Sequence, residues 1–211
     1  MSSGSYIVLE GIQGGGKTTQ IQLLADRLQR EGKPVYVTRE PGGSDLAARM
    51  IRYITQNPQF PLTTKAEVLL YNASRAQSLE IIRDLRDRGT WVLCDRNYLT
   101  TIAIQYYARN DGLDYDDVTR ICAFAVGDME PDTTIILDVD AETAAERAAS
   151  RTIKERFDGL QTDFLERMRQ GYLTEAQKRH LHIIDARRDA QIVFDELWKI
   201  INKPTKRKPR P

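Results

Sequence analysis

Gly11-Ile12-Gln13-Gly14-Gly15-Gly16-Lys17-Thr18 fits the pattern of Gly, four residues, then Gly-Lys-Ser/Thr, with Thr19 directly after it. Glycines let backbone N–H groups turn inward around an anion, and the helix that follows adds the positive end of its dipole. Such a loop would cradle the phosphates of ATP, with Lys17 reaching the β- and γ-phosphates and the Thr18 hydroxyl on Mg²⁺. Three consecutive glycines carry a backbone-entropy cost that a plain strand-to-helix turn has no need of. A second pair, Asp95-Arg96, stands where an apolar run ends. There Asp95 would support the metal, directly or through water, unless it only caps a helix. Arg96 would hold phosphate oxygens with its planar fork, unless it only pairs with a neighbouring acid. Arg147, Arg151, Lys154 and Arg156 place four cations within ten residues. A lid over about 147–158 that closes on phosphates and excludes water is expected there, with a solvated helix face as the alternative.

These parts imply nucleotide binding without fixing the reaction, since P-loops serve kinases, GTPases, motors and helicases. The Asn-Lys-x-Asp base reader of GTPases has no counterpart: the sole Asn-Lys is Asn202-Lys203, followed by Pro204. Cations on both sides of a moving phosphoryl group suit a transferase, in which closure keeps water out.

The elements that must position these residues follow from the hydrophobic pattern. Short Val/Ile/Leu-rich runs at Tyr6 to Glu10, Pro34 to Arg39, Trp91 to Asp95, Thr133 to Val139 and His182 to Asp185 read as strands buried on both faces. Between them lie helical stretches, among them Lys17 to Glu31, Thr64 to Arg88, Leu99 to Asn110, Ala141 to Arg151 and Leu160 to Arg179. The expected fold is α/β: a P-loop NTPase fold with a five-stranded parallel sheet, helices on both faces and a short lid segment. Residues 1–202 would form a single domain, and 203–211, Pro-broken and basic, a disordered tail.

The chain has 31 Lys plus Arg against 30 Asp plus Glu, and 41% of its residues are hydrophobic, enough for a sizeable core. Five of the cations lie between Lys203 and Pro211, so residues 1–202 carry 26 positive against 30 negative charges. A mildly acidic body excludes a general binder of nucleic acid; the tail is read as solubilising. Cys94 and Cys122 have neither disulfide-framework nor zinc spacing and read as buried thiols in a cytoplasmic protein. No window is apolar enough for a membrane span.

Taken together, the residues resemble the thymidylate kinase family, the P-loop nucleoside monophosphate kinases that move the ATP γ-phosphate to dTMP. The resemblance runs from Tyr6 to Asn202. It is carried by Thr38-Arg39-Glu40-Pro41-Gly42-Gly43, by Asp95-Arg96 followed by Thr100, Ala103 and Gln105, and by Leu137-Asp138-Val139-Asp140 with Glu142, Ala144 and Arg147. Phe164, Arg167, Arg169 and Tyr172, and then Ile184-Asp185-Ala186, extend it. The resemblance implies that Lys17 and Thr18 with Mg²⁺ hold the donor and that Arg96 bridges donor and acceptor phosphates. It also implies that Tyr71 stacks on the thymine while Arg75 hydrogen-bonds a base carbonyl. Residues four apart share a helical face, so ring and guanidinium can meet one planar base. Glu40, Pro41, Asn97, Thr100, Ile104 and Gln105 would line the acceptor side, and Gln13 would reach the acceptor sugar. Gly14 stands where some members carry an arginine; in the bacterial type the lid supplies that cation, making Arg151 and Arg156 the catalytic candidates. The family also suggests a homodimer packed through the long helices. Gln13, Asn97, Ile104, Ser74 and Ala48 depart from the usual residues, which leaves dUMP, UMP or another monophosphate as alternative acceptors. A nucleotide-binding switch that has lost transfer is the alternative of a different class.

Overall fold

In the computed structural model, residues 4–43, 45–149 and 161–202 are described. Five parallel strands form one sheet in the order β2-β3-β1-β4-β5, with β1 (Tyr6–Glu10) at its centre between β3 (Trp91–Asp95) and β4 (Thr133–Asp138). β2 (Val35–Arg39) and β5 (His182–Asp185) are the outer strands. Every residue of β1 is buried, as the apolar run Tyr6 to Leu9 requires, and the burial extends to its closing Glu10. Side chains alternate across the pleat: Tyr6 and Val8 join Val92, Cys94 and Ile136 on one face, whereas Ile7 and Leu9 join Leu93, Ile135 and Leu137 on the other.

The second face is covered by α1 (Lys17–Arg30) and α8 (Ala190–Ile201), through Ile21, Leu24, Leu28, Val193 and Leu197. Burying each leucine contributes about 1.5–3 kcal/mol. The first face is covered by α3 (Thr64–Asp87), α5 (Tyr115–Val126) and α7 (Thr162–Arg179). α2 (Leu46–Gln56) packs on α3, and α6 (Ala141–Ala149) follows β4. Local chemistry sets several starts: the side chains of Asp45, Thr63, Asp114 and Asp189 each accept a backbone N–H of the first turn.

The helix expected over Leu99 to Asn110 begins as α4 (Tyr98–Thr101) and then widens into a π-helical stretch over Ile102–Ala108, closed by the Arg109 amide on the Ile104 carbonyl at 3.0 Å. Tertiary bonds from Thr101 and Gln105 to α3 hold this segment, and local periodicity does not encode them. Cys94 and Cys122 are buried free thiols, and burial pushes both up. No helix among the described residues is long and apolar enough to cross a membrane. Residues 150–160, which include Arg151, Lys154 and Arg156 of the expected lid, and the tail 203–211 lie outside the described residues.

Candidate active site

The parallel sheet delivers Glu10, Arg39, Asp95 and Asp138 to its carboxyl edge, where open α/β sheets bind ligands. Directly beyond β1 the loop Gly11–Gly16 wraps toward α1. Gly14 has φ 81°, and a Cβ there would lie 2.7 Å from the Ala144 carbonyl oxygen, so the loop is seated against the backbone of α6. Close packing, as well as conformation, therefore requires glycine at a position where a side chain would have to displace a helix. Lys17, only 6% exposed, folds back so that Nζ donates to the carbonyls of Gly11 and Ile12 at 3.0 and 2.9 Å. Its charge is thus stored inside the loop it serves.

Gln13, Gly16, Lys17, Thr18, Thr19, Asp95 and Arg96 line one cleft, which brings β3 to the phosphate loop as the sequence suggested. Asp95 does not cap α4; Asn97 takes that position. The Oδ1 of Asp95 is buried with no hydrogen-bond partner among the described residues, close to the exposed Thr18. An orphaned carboxylate oxygen beside a hydroxyl fits a hard cation that takes most of its remaining ligands from phosphate and water.

Arg96 adopts φ 76°, a left-handed conformation costly for a residue other than glycine, and three acceptors converge on one nitrogen of its guanidinium. Nη1 donates to the Gly11 carbonyl at 3.0 Å, to the Tyr172 hydroxyl at 3.1 Å and to Thr100 Oγ1 at 3.3 Å. Behind it stands Glu10, fully buried at the end of β1. Its carboxyl accepts from the amides of Asn97 and Thr100 at 2.7 and 3.2 Å and from Thr100 Oγ1 at 2.6 Å. Since that hydroxyl spends its one proton on Glu10, its 2.6 Å contact with Tyr172 takes its proton from the tyrosine. The chain Arg96, Tyr172, Thr100, Glu10 is thereby ordered. Burial pushes the Glu10 carboxyl up, opposed by the Thr100 bond and the nearby Arg96 and Lys17 charges.

On the other side of the cleft, Arg75 is 2% exposed and bonded from three directions: Nε to Glu40 Oε2 at 2.7 Å, Nη2 to Thr101 Oγ1 at 3.0 Å and Nη1 to the side-chain Oδ1 of Asn72. Burial pushes the Glu40 carboxyl up against the pull of Arg75. The Glu40-Pro41 turn reaches this point because Gly43 packs its backbone on β2, where a Cβ would lie 2.2 Å from Thr38 Oγ1. Pro41 in turn receives Arg52 Nη1 on its carbonyl at 3.1 Å. Tyr71, one helical turn before Arg75, is buried with its hydroxyl 3.5 Å from Gln56 Nε2. Gln105 and Ile104 are buried on the π-helical stretch.

Two expected residues occupy other surroundings. The Asn97 side chain turns inward, donating to the Tyr6 hydroxyl at 3.1 Å and capping α4. Arg147 sits on α6 and donates to the carbonyls of Gly14, Ala186 and Arg187 at 3.2, 2.9 and 3.2 Å, so it clamps the phosphate loop to the exit of β5. Sequence reasoning passed over Glu10. Its signal was a lone carboxylate closing an otherwise apolar strand directly before Gly11.

A family model described as Thymidylate kinase matches residues 9–197. The chain is 37% identical over 199 residues to the thymidylate kinase of Carboxydothermus hydrogenoformans, covering 93% of this chain and 95% of that one. It is 40% identical over 202 residues to that of Syntrophotalea carbinolica, covering 92% and 93%. With that of Deinococcus radiodurans it shares 37% over 206 residues, covering 96% and 98%.

Proposed function

The chain belongs to the thymidylate kinase family, and from that premise we propose that it transfers the γ-phosphate of ATP to dTMP, giving dTDP and ADP. The observation that carries this reading is the position of Arg96, whose guanidinium touches the phosphate loop at Gly11 and, through Thr100 and Tyr172, the acceptor wall. One cation touching both walls can neutralise charge on the equatorial oxygens as the acceptor oxygen bonds to phosphorus and the bond to the β–γ bridging oxygen breaks. Lys17 would leave its two loop carbonyls for the β- and γ-phosphates. The N–H groups of Gly11 to Thr19, with Gln13 beside them, would hold the rest of the donor. Thr18 and Asp95 would hold Mg²⁺, which when bound offsets phosphate charge.

Tyr71 and Arg75 would grip the base, with Glu40, Pro41, Thr100, Ile104 and Gln105 completing the acceptor side. Arg151 and Arg156 would bring further cations from the lid. One five-stranded sheet with helices on both faces supports a single kinase domain, which would work in the cytoplasm. A homodimer is supported by α2, whose Leu46, Met50 and Tyr53 fall on one helical face and are all more than half exposed. Sedimentation at micromolar concentration should give twice the chain mass; a monomer would remove that assignment. The decisive assay couples ADP release to a panel of nucleoside monophosphates with ATP and Mg²⁺. dTMP is expected to be preferred, and failure of every acceptor to yield a diphosphate would defeat the kinase reading in favour of a nucleotide-binding switch.

A further inference from the structure

Two rungs of hydrogen bonds join α3 to the segment that runs from α4 into the π-helical stretch. Arg75 to Thr101 is one, and Gln105 Nε2 to Glu67 Oε2, at 2.9 Å, is the other. Glu67, Tyr71 and Arg75 lie four apart on one face of α3, so Tyr71 stands between the rungs. Glu67 is 1% exposed and Gln105 fully buried, and the same Glu67 oxygen accepts Arg109 Nη2 at 2.7 Å. A carboxylate only accepts hydrogen bonds, so Gln105 must turn its amino group toward it. The amide oxygen then faces away from Glu67, and it is buried with no hydrogen-bond partner among the described residues.

We infer that Glu67 is a positioning residue that locks the Gln105 amide, so that the acceptor pocket offers an unpaired oxygen to a ring N–H and selects bases of the imide type. Thymine and uracil carry N3–H and satisfy that oxygen; cytosine presents a lone pair at N3 and does not. The same lock leaves the thymine methyl unread, so separation of dTMP from dUMP must arise elsewhere in the pocket. A site built to bond one polar group of the substrate rejects the analogue lacking it far more strongly than it resolves a methyl.

This inference rests on the dTMP reading and deepens it. Its test is kcat/KM for dTMP and dCMP in the wild type, in Glu67→Gln and in Arg109→Gln. Glu67→Gln allows the Gln105 amide to rotate, and the dTMP:dCMP ratio is expected to fall about tenfold or more. Arg109→Gln removes the ion pair yet keeps the accepting carboxylate, and is expected to retain the wild-type ratio. An unmoved ratio in Glu67→Gln, or an equal fall in Arg109→Gln, overturns the role of Glu67. Should Glu67→Gln fail to fold, Gln105→Met deletes the accepting oxygen while keeping bulk. It is expected to lower dTMP at least about tenfold more than dCMP, and equal losses overturn the inference. A wild type inert toward every monophosphate would instead sink the kinase reading itself.

Discussion

The phosphate loop and the surroundings of Arg75 place a cation in opposite ways. Lys17 takes two partners from Gly11 and Ile12, within six residues of itself, and both are backbone carbonyls. Arg75 takes Glu40 from 35 positions away and Thr101 from 26 positions away, and needs their side chains. Locally closed sites tolerate change in distant elements, whereas a site assembled from several elements shares its geometry with the packing around it. Arg96 joins the two, because its partners are a loop carbonyl on one side and Thr100 and Tyr172 on the other.

That contrast can be broken most forcefully at the junction. Arg96→Ala is expected to lower kcat by about 10³-fold or more, since its role lies in the transition state, with ATP affinity largely kept. Rapid-quench turnover beside an ATP titration measures both, and near-wild-type turnover would remove Arg96 from the chemistry. Arg75→Met should destabilise the protein by about 3–5 kcal/mol in urea melts, because Glu40 is left charged and buried without its partner. Adding Glu40→Leu should recover most of that stability without recovering dTMP affinity. If the double variant binds dTMP normally, Arg75 is a packing element and not a base contact.

Gly14→Ala tests the local side. The added Cβ meets Ala144 and the positive φ disfavours alanine, so about 1–3 kcal/mol of stability should be lost, with a raised KM for ATP and little change for dTMP. Equal rises in both KM values would show that the loop and the acceptor wall move as one. Glu10→Gln should give the smallest effect, one visible only as a pH trend. Burial raises the folded pKa of Glu10 above the ordinary glutamate range. Its favourable share is therefore complete below the unfolded pKa and lost as pH rises through the folded one. The Tm of Glu10→Gln relative to wild type is expected to climb from about pH 4.5 upward, then level off. A flat difference across that window would place the Glu10 pKa at its ordinary value.

Much of the frame was legible from residue pattern. Three of the five strands occupy the anticipated residues, and the other two differ by one residue at an end. Continuous apolar runs of that length have few other places to go than a doubly covered sheet. The cation cluster around Arg147 read differently in the fold. Charge spacing placed it with the lid, but three carbonyls converging from the phosphate loop and the β5 exit give Arg147 an anchoring role. Likewise, an Asn directly after Asp95-Arg96 looked like a pocket residue, and the buried Tyr6 hydroxyl claims it. No linear spacing announces such partners, because they come from strands and helices that meet only after the sheet has formed.

By itself, the sequence determined the phosphate loop, the parallel sheet and the family, since each depends on short-range backbone preference or on the period of burial. Tertiary structure decided how the carboxylates around the cleft are held. Glu10, Glu40 and Glu67 all became buried hydrogen-bonding centres through contacts with α4, α3 and the π-helical stretch. A buried carboxylate is tolerable only where donors converge on it from several elements, and that convergence is a property of the assembled fold.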